Sequence, residues 1–350
     1  MPVSVDSSYS SHDHLGIATS PLQTPPSYHP DRPGRGLAIG LINNMPEAAF
    51  KATERQFISL LDLASGDIPI RALLYEMPDI RRPESSGPHI GSMYSSVEML
   101  WDTHLDGLIV TGTEPMKSDL RDERYWDSFT RVVEWARNNT YSTVWSCLAA
   151  HGAVLHLDNI GRRRSLDKHF GVFECLRACA HSLTEGVPPS FQVPHSRWNG
   201  IAEQDLAARG YLVLARTAHA EVDLFVKEEN SLFVFFQGHP EYQSDTLLRE
   251  YRRDVGRYIR HEADSYPAMP RGYFDHDTES ALFALREKAK TLRSKELLAG
   301  LAVALEKKHI ENTWHSTATR IYRNWLEYIC ARKNESLGAG QLNSTCAVPR

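Results

Sequence analysis

The sequence predicts an α/β fold, a mostly parallel sheet flanked by helices, with further helices at the C-terminal end. Three observations predict it. Short apolar runs such as Leu37–Ile42 and Leu105–Thr113 are bounded by turn formers, as buried strands are. Segments with helical apolar spacing separate these runs, and strand, helix, strand in that rhythm points to parallel pairing with right-handed crossovers. The composition, 24% charged and 41% hydrophobic over 350 residues, is that of an ordinary globular protein.

Residues 1–35 hold six Pro and seven Ser. Such a segment buries too little apolar surface to offset its ordering entropy, so a disordered arm is expected there. A single folded domain is expected over 36–333. LAIGLI, from Leu37, reads as a buried strand between Gly36 and Asn43-Asn44. Thr53 precedes ERQFISLLDLA, in which Phe57, Leu60, Leu61 and Leu63 make one helical face. IRALLYEM and LDGLIVTGT are further strands, a helix covers ERYWDSFTRVVEWARNN, and STVWSC runs directly into LAAHGAVLHL. VDLFVK and SLFVFFQGHPEY supply later strands. Helices follow at about 245–262, as one long element at about 278–308, and around ATRIYRNWLEYICA. The long element carries Leu282, Leu285, Lys288 and Leu292 on a broken apolar stripe, which suits a packed cover or dimer helix. Residues 334–350 read as a flexible tail.

The net charge is -5, and 39 basic residues are scattered among 44 acidic ones. That excludes the concentrated basic footprint of a nucleic-acid binder and points to small-molecule partners. No apolar run of about 18 residues occurs, and the first residues lack the basic and apolar regions of a signal peptide. A cytoplasmic protein without membrane association is the expectation. The five cysteines, Cys147, Cys175, Cys179, Cys330 and Cys346, are odd in number and widely spaced. Cys175 and Cys179 form a CxxxC pair without a second pair at zinc-like spacing, so ordinary packing and no metal are expected.

Cys147 ends the apolar strand STVWS, and a helix opens at once with Leu148-Ala149-Ala150-His151-Gly152. Ligands of open α/β sheets bind at the carboxyl ends of strands, and a nucleophile on such a turn is exposed at the crevice. The helix N-terminus favours a thiolate and offers unpaired N–H groups to a developing oxyanion. A buried packing cysteine is the competing account. A second strand, SLFVFF, ends in Gln237-Gly238-His239-Pro240-Glu241, which places an imidazole and a carboxylate two residues apart where they point the same way. Glu241 can then orient His239 while His239 moves a proton. His151 either tunes the thiol or contacts a loop, and His195 has the same two readings.

These residues carry a resemblance. With LAIGLINNMPEAAFKATERQF, DGLIVTGTEP, STVWSC, DKHFGVFE, VPHSRWNG, FVFFQGHPEYQSDTLLREYRRD and ENTWHSTATRIYRNWLEYI in order over about 37–332, the chain resembles the homoserine O-acyltransferase family. These are homoserine O-succinyltransferase-like enzymes of methionine biosynthesis with the class I glutamine amidotransferase-like fold. The resemblance implies that 36–333 is a catalytic domain transferring an acyl group from acyl-CoA to L-homoserine, with O-succinyl transfer expected, by a ping-pong route through a cysteine thioester. Carried over, Cys147 attacks the thioester, His239 is the general base, Glu241 holds His239, and the Leu148 N–H is the oxyanion donor. Lys168 and Ser196 line the acyl or homoserine pocket, and Arg253 grips the homoserine carboxylate, a task suited to a planar guanidinium. No bound cofactor is implied; succinyl-CoA or acetyl-CoA is a co-substrate, and a homodimer is left open.

The chain also departs from the family pattern. Leu148-Ala149-Ala150-His151 stands where Trp-Gly-Ala-Gln is usual, which changes the cleft wall. Thr113-Glu114-Pro115-Met116 follows Thr111-Gly112, with Met116 at the place that selects the acyl donor, and Glu114 beside it either disfavours a succinyl carboxylate, binds the substrate ammonium or is a solvated carboxylate. A serine-like acceptor, glutamine amide hydrolysis on the same three residues, and a non-catalytic sensor are the alternatives at this point.

Overall fold

The computed structural model describes residues 3–5, 36–80, 93–219, 221–306 and 310–345. The first half of the chain contributes strands β1 (Val3–Val5), β2 (Leu37–Ile42), β3 (Ile70–Glu76), β4 (Tyr94–Ser96), β5 (Gly107–Val110) and β6 (Ser142–Ser146). The second half contributes β7 (Arg163–Arg177), β8 (Ser190–Gly200), β9 (Leu212–Thr217), β10 (Val222–Glu228) and β11 (Leu232–Phe236). They form one sheet in the order β1-β3-β2-β5-β6-β11-β10-β9-β7-β8, with β4 beside β3. Pairing is parallel from β1 across to β11 and antiparallel from β11 to β8. Every residue of β5, β6 and β11 is buried, which is why β5 and β11 read as unbroken apolar runs, while β6 buries the hydroxyls of Ser142 and Thr143 in hydrogen bonds.

Helices cover both faces. On one side α1 (Glu47–Ser65) and α8 (His315–Thr345) pack Phe50, Phe57, Leu61, Trp325 and Ile329 against inward residues of β2, β3 and β6. Trp325 Nε1 donates to Ser142 Oγ at 2.8 Å, so that indole is both packed and hydrogen-bonded. On the other side α2 (Trp126–Asn139) and α3 (Leu148–Asp158) bury Phe129, Val132, Val133, Ala153 and Val154 with Trp145 and Phe233. A smaller core joins α5 (Thr246–Ile259), α6 (His276–Thr291), α7 (Glu296–Leu305) and Trp314 beyond the antiparallel half. The short α4 (Glu203–Ala207) links β8 to β9.

Four expectations need correction. The single helix expected at about 278–308 is two helices, α6 and α7, and Lys308 lies outside the described residues. Leu292 is extended (φ -148°, ψ 116°), and the next residue, Arg293, donates to the carbonyls of Tyr258 and Ala263 and lies 3.7 Å from the Tyr258 ring centre. The break lets α7 turn back so that Gly300 meets Leu285. The tail expected from 334 is helical to Thr345, continuing α8 past Lys333, whose ammonium is fastened to Asp106 Oδ2 and the Gly36 carbonyl, 2.8 Å each. Of the expected disordered arm, 6–35 lie outside the described residues, whereas Val3–Val5 pair with β3. Finally, the helix expected from Thr53 starts six residues earlier, at Glu47, directly after Pro46.

Candidate active site

The parallel strands β6 and β11 are neighbours and end side by side, Phe236 opposite Ser146. Cys147 is the next residue after β6, and its N–H still donates to the Phe236 carbonyl at 2.7 Å. It stands at φ 52°, ψ -113°, a conformation that side-chain-bearing residues rarely adopt, before α3 begins at Leu148. This sharp elbow lifts Sγ out of the sheet and aims the first N–H groups of α3, which have no intrahelical acceptor, at the same space. Gly112, past the end of β5, lies against that helix start: a Cβ there would fall 2.9 Å from Leu148 N and Cβ. Thr111, Gly112, Tyr125, Phe129 and Leu148 line a narrow apolar crevice beside the elbow.

Beyond β11 the chain turns through Gln237-Gly238 to His239. Nδ1 of His239 is 2.8 Å from Glu241 Oε1, and Cys147 lies close enough to act on the imidazole, so thiol, imidazole and carboxylate are neighbours. Burial pulls the His239 pKa down, but the charges at Cys147 and Glu241 and the hydrogen bond to Glu241 outweigh it and hold it well above 6.5. The Tyr242 ring stacks on the imidazole at 4.2 Å and 17°. Burial, then Glu250, pushes the Tyr242 phenol far up, so its hydroxyl stays protonated and donates to Glu250 Oε1 at 2.7 Å.

The loop bearing His239 is held from below. The His239 N–H donates to the Pro194 carbonyl at 2.8 Å, and the Gly238 N–H donates to Asp223 Oδ1 at 3.0 Å. Arg197 Nε donates to Nδ1 of the fully buried His195 at 3.2 Å, which leaves the proton on Nε2, 3.3 Å from Asp223 Oδ1 in a long contact. Burial lowers the His195 pKa, so the ring is neutral. Cys175, His195 and Asp223 offer ligand atoms within 4.8 Å of one another. A cation there would have to displace the Arg197 and Gly238 hydrogen bonds and ionise a Cys175 thiol that burial pushes far up. His151, one turn into α3, is buried and pushed down to about 3, first by burial and then by Arg197 and Arg162; it too is neutral.

The other residues singled out in the sequence meet on the facing wall. Lys168 Nζ lies over the Phe170 ring at 4.1 Å and 3.9 Å from Asp254 Oδ2; burial lowers its pKa against the pull of Glu250 and Asp254, and Cys147 is close enough to act on it. Ser196 Oγ donates to Glu250 Oε2 at 2.6 Å. Arg253, one turn along α5 from Glu250, is tied by Nε to Asp254 Oδ1 at 2.8 Å and feels both Glu250 and Glu114. Met116 does not enter the cleft: it is 82% exposed, on a loop pinned by Glu123 Oε1, which accepts the N–H groups of Met116 and Lys117 at 2.6 Å each. Sequence reasoning missed Glu250, Tyr242, Gly112 and the Asp223–His195 support. Tyr242 adjoins Glu241 and Glu250 precedes Arg253 by one turn, so proximity to assigned residues was the available signal; Asp223 offered none.

A family model described as homoserine O-succinyltransferase matches residues 23–336 of the chain. A homoserine O-succinyltransferase of Rhodopseudomonas palustris is 44% identical over 321 residues, covering 90% of this chain and 96% of its own. One of Bradyrhizobium japonicum is 43% identical, covering 84% and 90%. Among solved structures, a glutamine amido transferase from Methylobacillus flagellatus superposes with a TM-score of 0.47 at 15% identity, covering 84% of this chain and 95% of its own.

Proposed function

The chain belongs to the homoserine O-succinyltransferase family, and from that premise we propose that it transfers a succinyl group from succinyl-CoA to the hydroxyl of L-homoserine through a thioester on Cys147. One observation carries the mechanism: His239, hydrogen-bonded to Glu241, stands close to Cys147 at the ends of adjacent strands.

In the first step the Cys147 thiolate attacks the thioester carbonyl and the Leu148 N–H receives the developing oxyanion. Collapse expels the CoA thiolate, which takes the proton from the His239 imidazolium and leaves the acyl-enzyme with a neutral imidazole. Loss of the charge at Cys147 removes the largest influence that raises the His239 pKa, so acylation itself converts His239 from acid to base. The homoserine hydroxyl then gives its proton to His239 as its oxygen attacks the acyl carbon, and Cys147 leaves as thiolate. Glu241 keeps the imidazole oriented in both steps. Arg253 takes the acceptor carboxylate, Glu250 and Glu114 offer negative charge to its ammonium, and Lys168 with Ser196 closes the wall beside the reacting carbonyl.

The test is intact-protein and peptide mass spectrometry after incubation with succinyl-CoA and no acceptor. A succinyl increment on the Cys147 peptide, discharged by homoserine, is expected. No increment from a reactive thiol refutes the mechanism, and an increment from acetyl-CoA alone reassigns the donor.

A further inference from the structure

We infer that an indole–guanidinium platform on the β7–β8 hairpin, Trp198 with Arg164 and Arg162, binds the nucleotide end of the acyl-CoA; this rests on the acyl-CoA reading above and assigns it a second subsite.

The hairpin register shows where the platform lies. Arg164 pairs with Asn199, but the next pair is His169 with Arg197, so four residues, Ser165 to Lys168, face Trp198 alone. This bulge returns Lys168 to the cleft, close to Cys147. Phe170, under the Lys168 ammonium, is paired with Ser196. Ser196 and Trp198 share a strand face, so Trp198 lies about 7 Å further out than Ser196 along the strand. The same face therefore runs from the reacting centre to an indole at its rim, a course suited to an extended pantetheine arm.

What waits at the rim is unsatisfied. Trp198 is 42% exposed. Arg164 lies over it at 4.7 Å from the ring centre and has no carboxylate partner among the described residues. Arg162, near enough for Arg164 to lower its pKa, spends Nη2 on the carbonyls of Lys117 and Ser118 and leaves Nη1 buried without a hydrogen bond. Glu123 and Asp119 act on Arg162, but Arg164 has no carboxylate partner among the described residues, so the neighbouring guanidiniums still gain from an anion that joins them. An aromatic face with a stacked guanidinium accepts a purine base, and paired arginines accept phosphates. Adenine and phosphate on one ligand match both halves.

The experiment compares succinyl-CoA with succinyl-pantetheine, which has the same thioester and no nucleotide, in the wild type, Arg164→Glu and Trp198→Ala, together with calorimetric binding of adenosine 3′,5′-bisphosphate. Losing one charge-assisted phosphate contact corresponds to roughly a 10-fold to 100-fold rise in KM for succinyl-CoA. KM for succinyl-pantetheine should stay within about twofold, kcat should hold with both donors, and bisphosphate binding should be lost in Arg164→Glu. Equal effects on both donors, or bisphosphate binding unchanged by the substitutions, overturns the proposal. If the wild type transfers from neither donor yet binds the bisphosphate through Arg164, the platform stands and the donor reading fails. Arg164 and Trp198 lie at the surface, so misfolding does not confound the comparison.

Discussion

Gly238→Ala adds one methyl group at the tightest point beneath the imidazole. The new Cβ would lie 2.5 Å from Val193 Cγ1, 2.7 Å from Asp223 Oδ1 and 3.1 Å from His195 Cε1. Carbon atoms settle at about 3.5–4.0 Å, so relief of the first contact alone needs a shift of roughly 1 Å. Val193, His195 and Asp223 are buried in the sheet and cannot give; the loop must move instead. Overpacking of this kind costs about 1–3 kcal/mol, and breaking the Gly238 N–H to Asp223 hydrogen bond costs a further ~1–3 kcal/mol. His239 is the next residue, and a misplacement of about 1 Å at a reacting group costs on the order of 100-fold in rate. The assay is CoA thiol release from succinyl-CoA with homoserine, alongside urea unfolding. A fall in kcat of about 100-fold with about 2–6 kcal/mol of stability lost is expected. A kcat within twofold of the wild type and unchanged unfolding would refute the claim that this support positions the imidazole.

Other outcomes follow from the same geometry. His239 has its pKa raised in the folded protein, so its contribution to stability is full below 6.5 and is lost as pH rises through the higher folded value; unfolding curves of His239→Gln should lack that alkaline decline. His151 is shifted the other way, to about 3, so stability present above 6.5 should fade as pH drops toward 3, and His151→Leu should flatten that limb; an unchanged limb would count against a neutral buried ring. Arg253→Ala should raise KM for homoserine about tenfold or more with the donor KM unmoved, and equal changes would mean that the clamp lies elsewhere. Glu250→Gln, which weakens the hold on Ser196 and Tyr242 together, should lower kcat/KM for homoserine more than the rate of Cys147 acylation, read by single-turnover mass spectrometry.

The sequence by itself determined the elements whose pattern is local. The runs that became β2, β5 and β11 are buried on both faces and therefore continuously apolar, and the step from Ser146 through Cys147 into α3 is written in adjacent residues. The same locality made Cys147, His239 and Glu241 legible as candidates, because each stands at or just past the end of a strand. Only the tertiary structure decided what meets what. The pairing of β11 with β6 brings together residues 90 positions apart in sequence, and no periodicity encodes that register. Ser196 finds Glu250 on α5, Gly238 finds Asp223 on β10, and a four-residue bulge delivers Lys168 while leaving Arg164 on Trp198. The break at Leu292 shows the same limit: an apolar stripe fit for one helix is cut where Arg293 caps carbonyls of distant residues. Such bonds depend on backbone groups that every residue type carries, so the sequence specifies them only through the packing of the whole sheet.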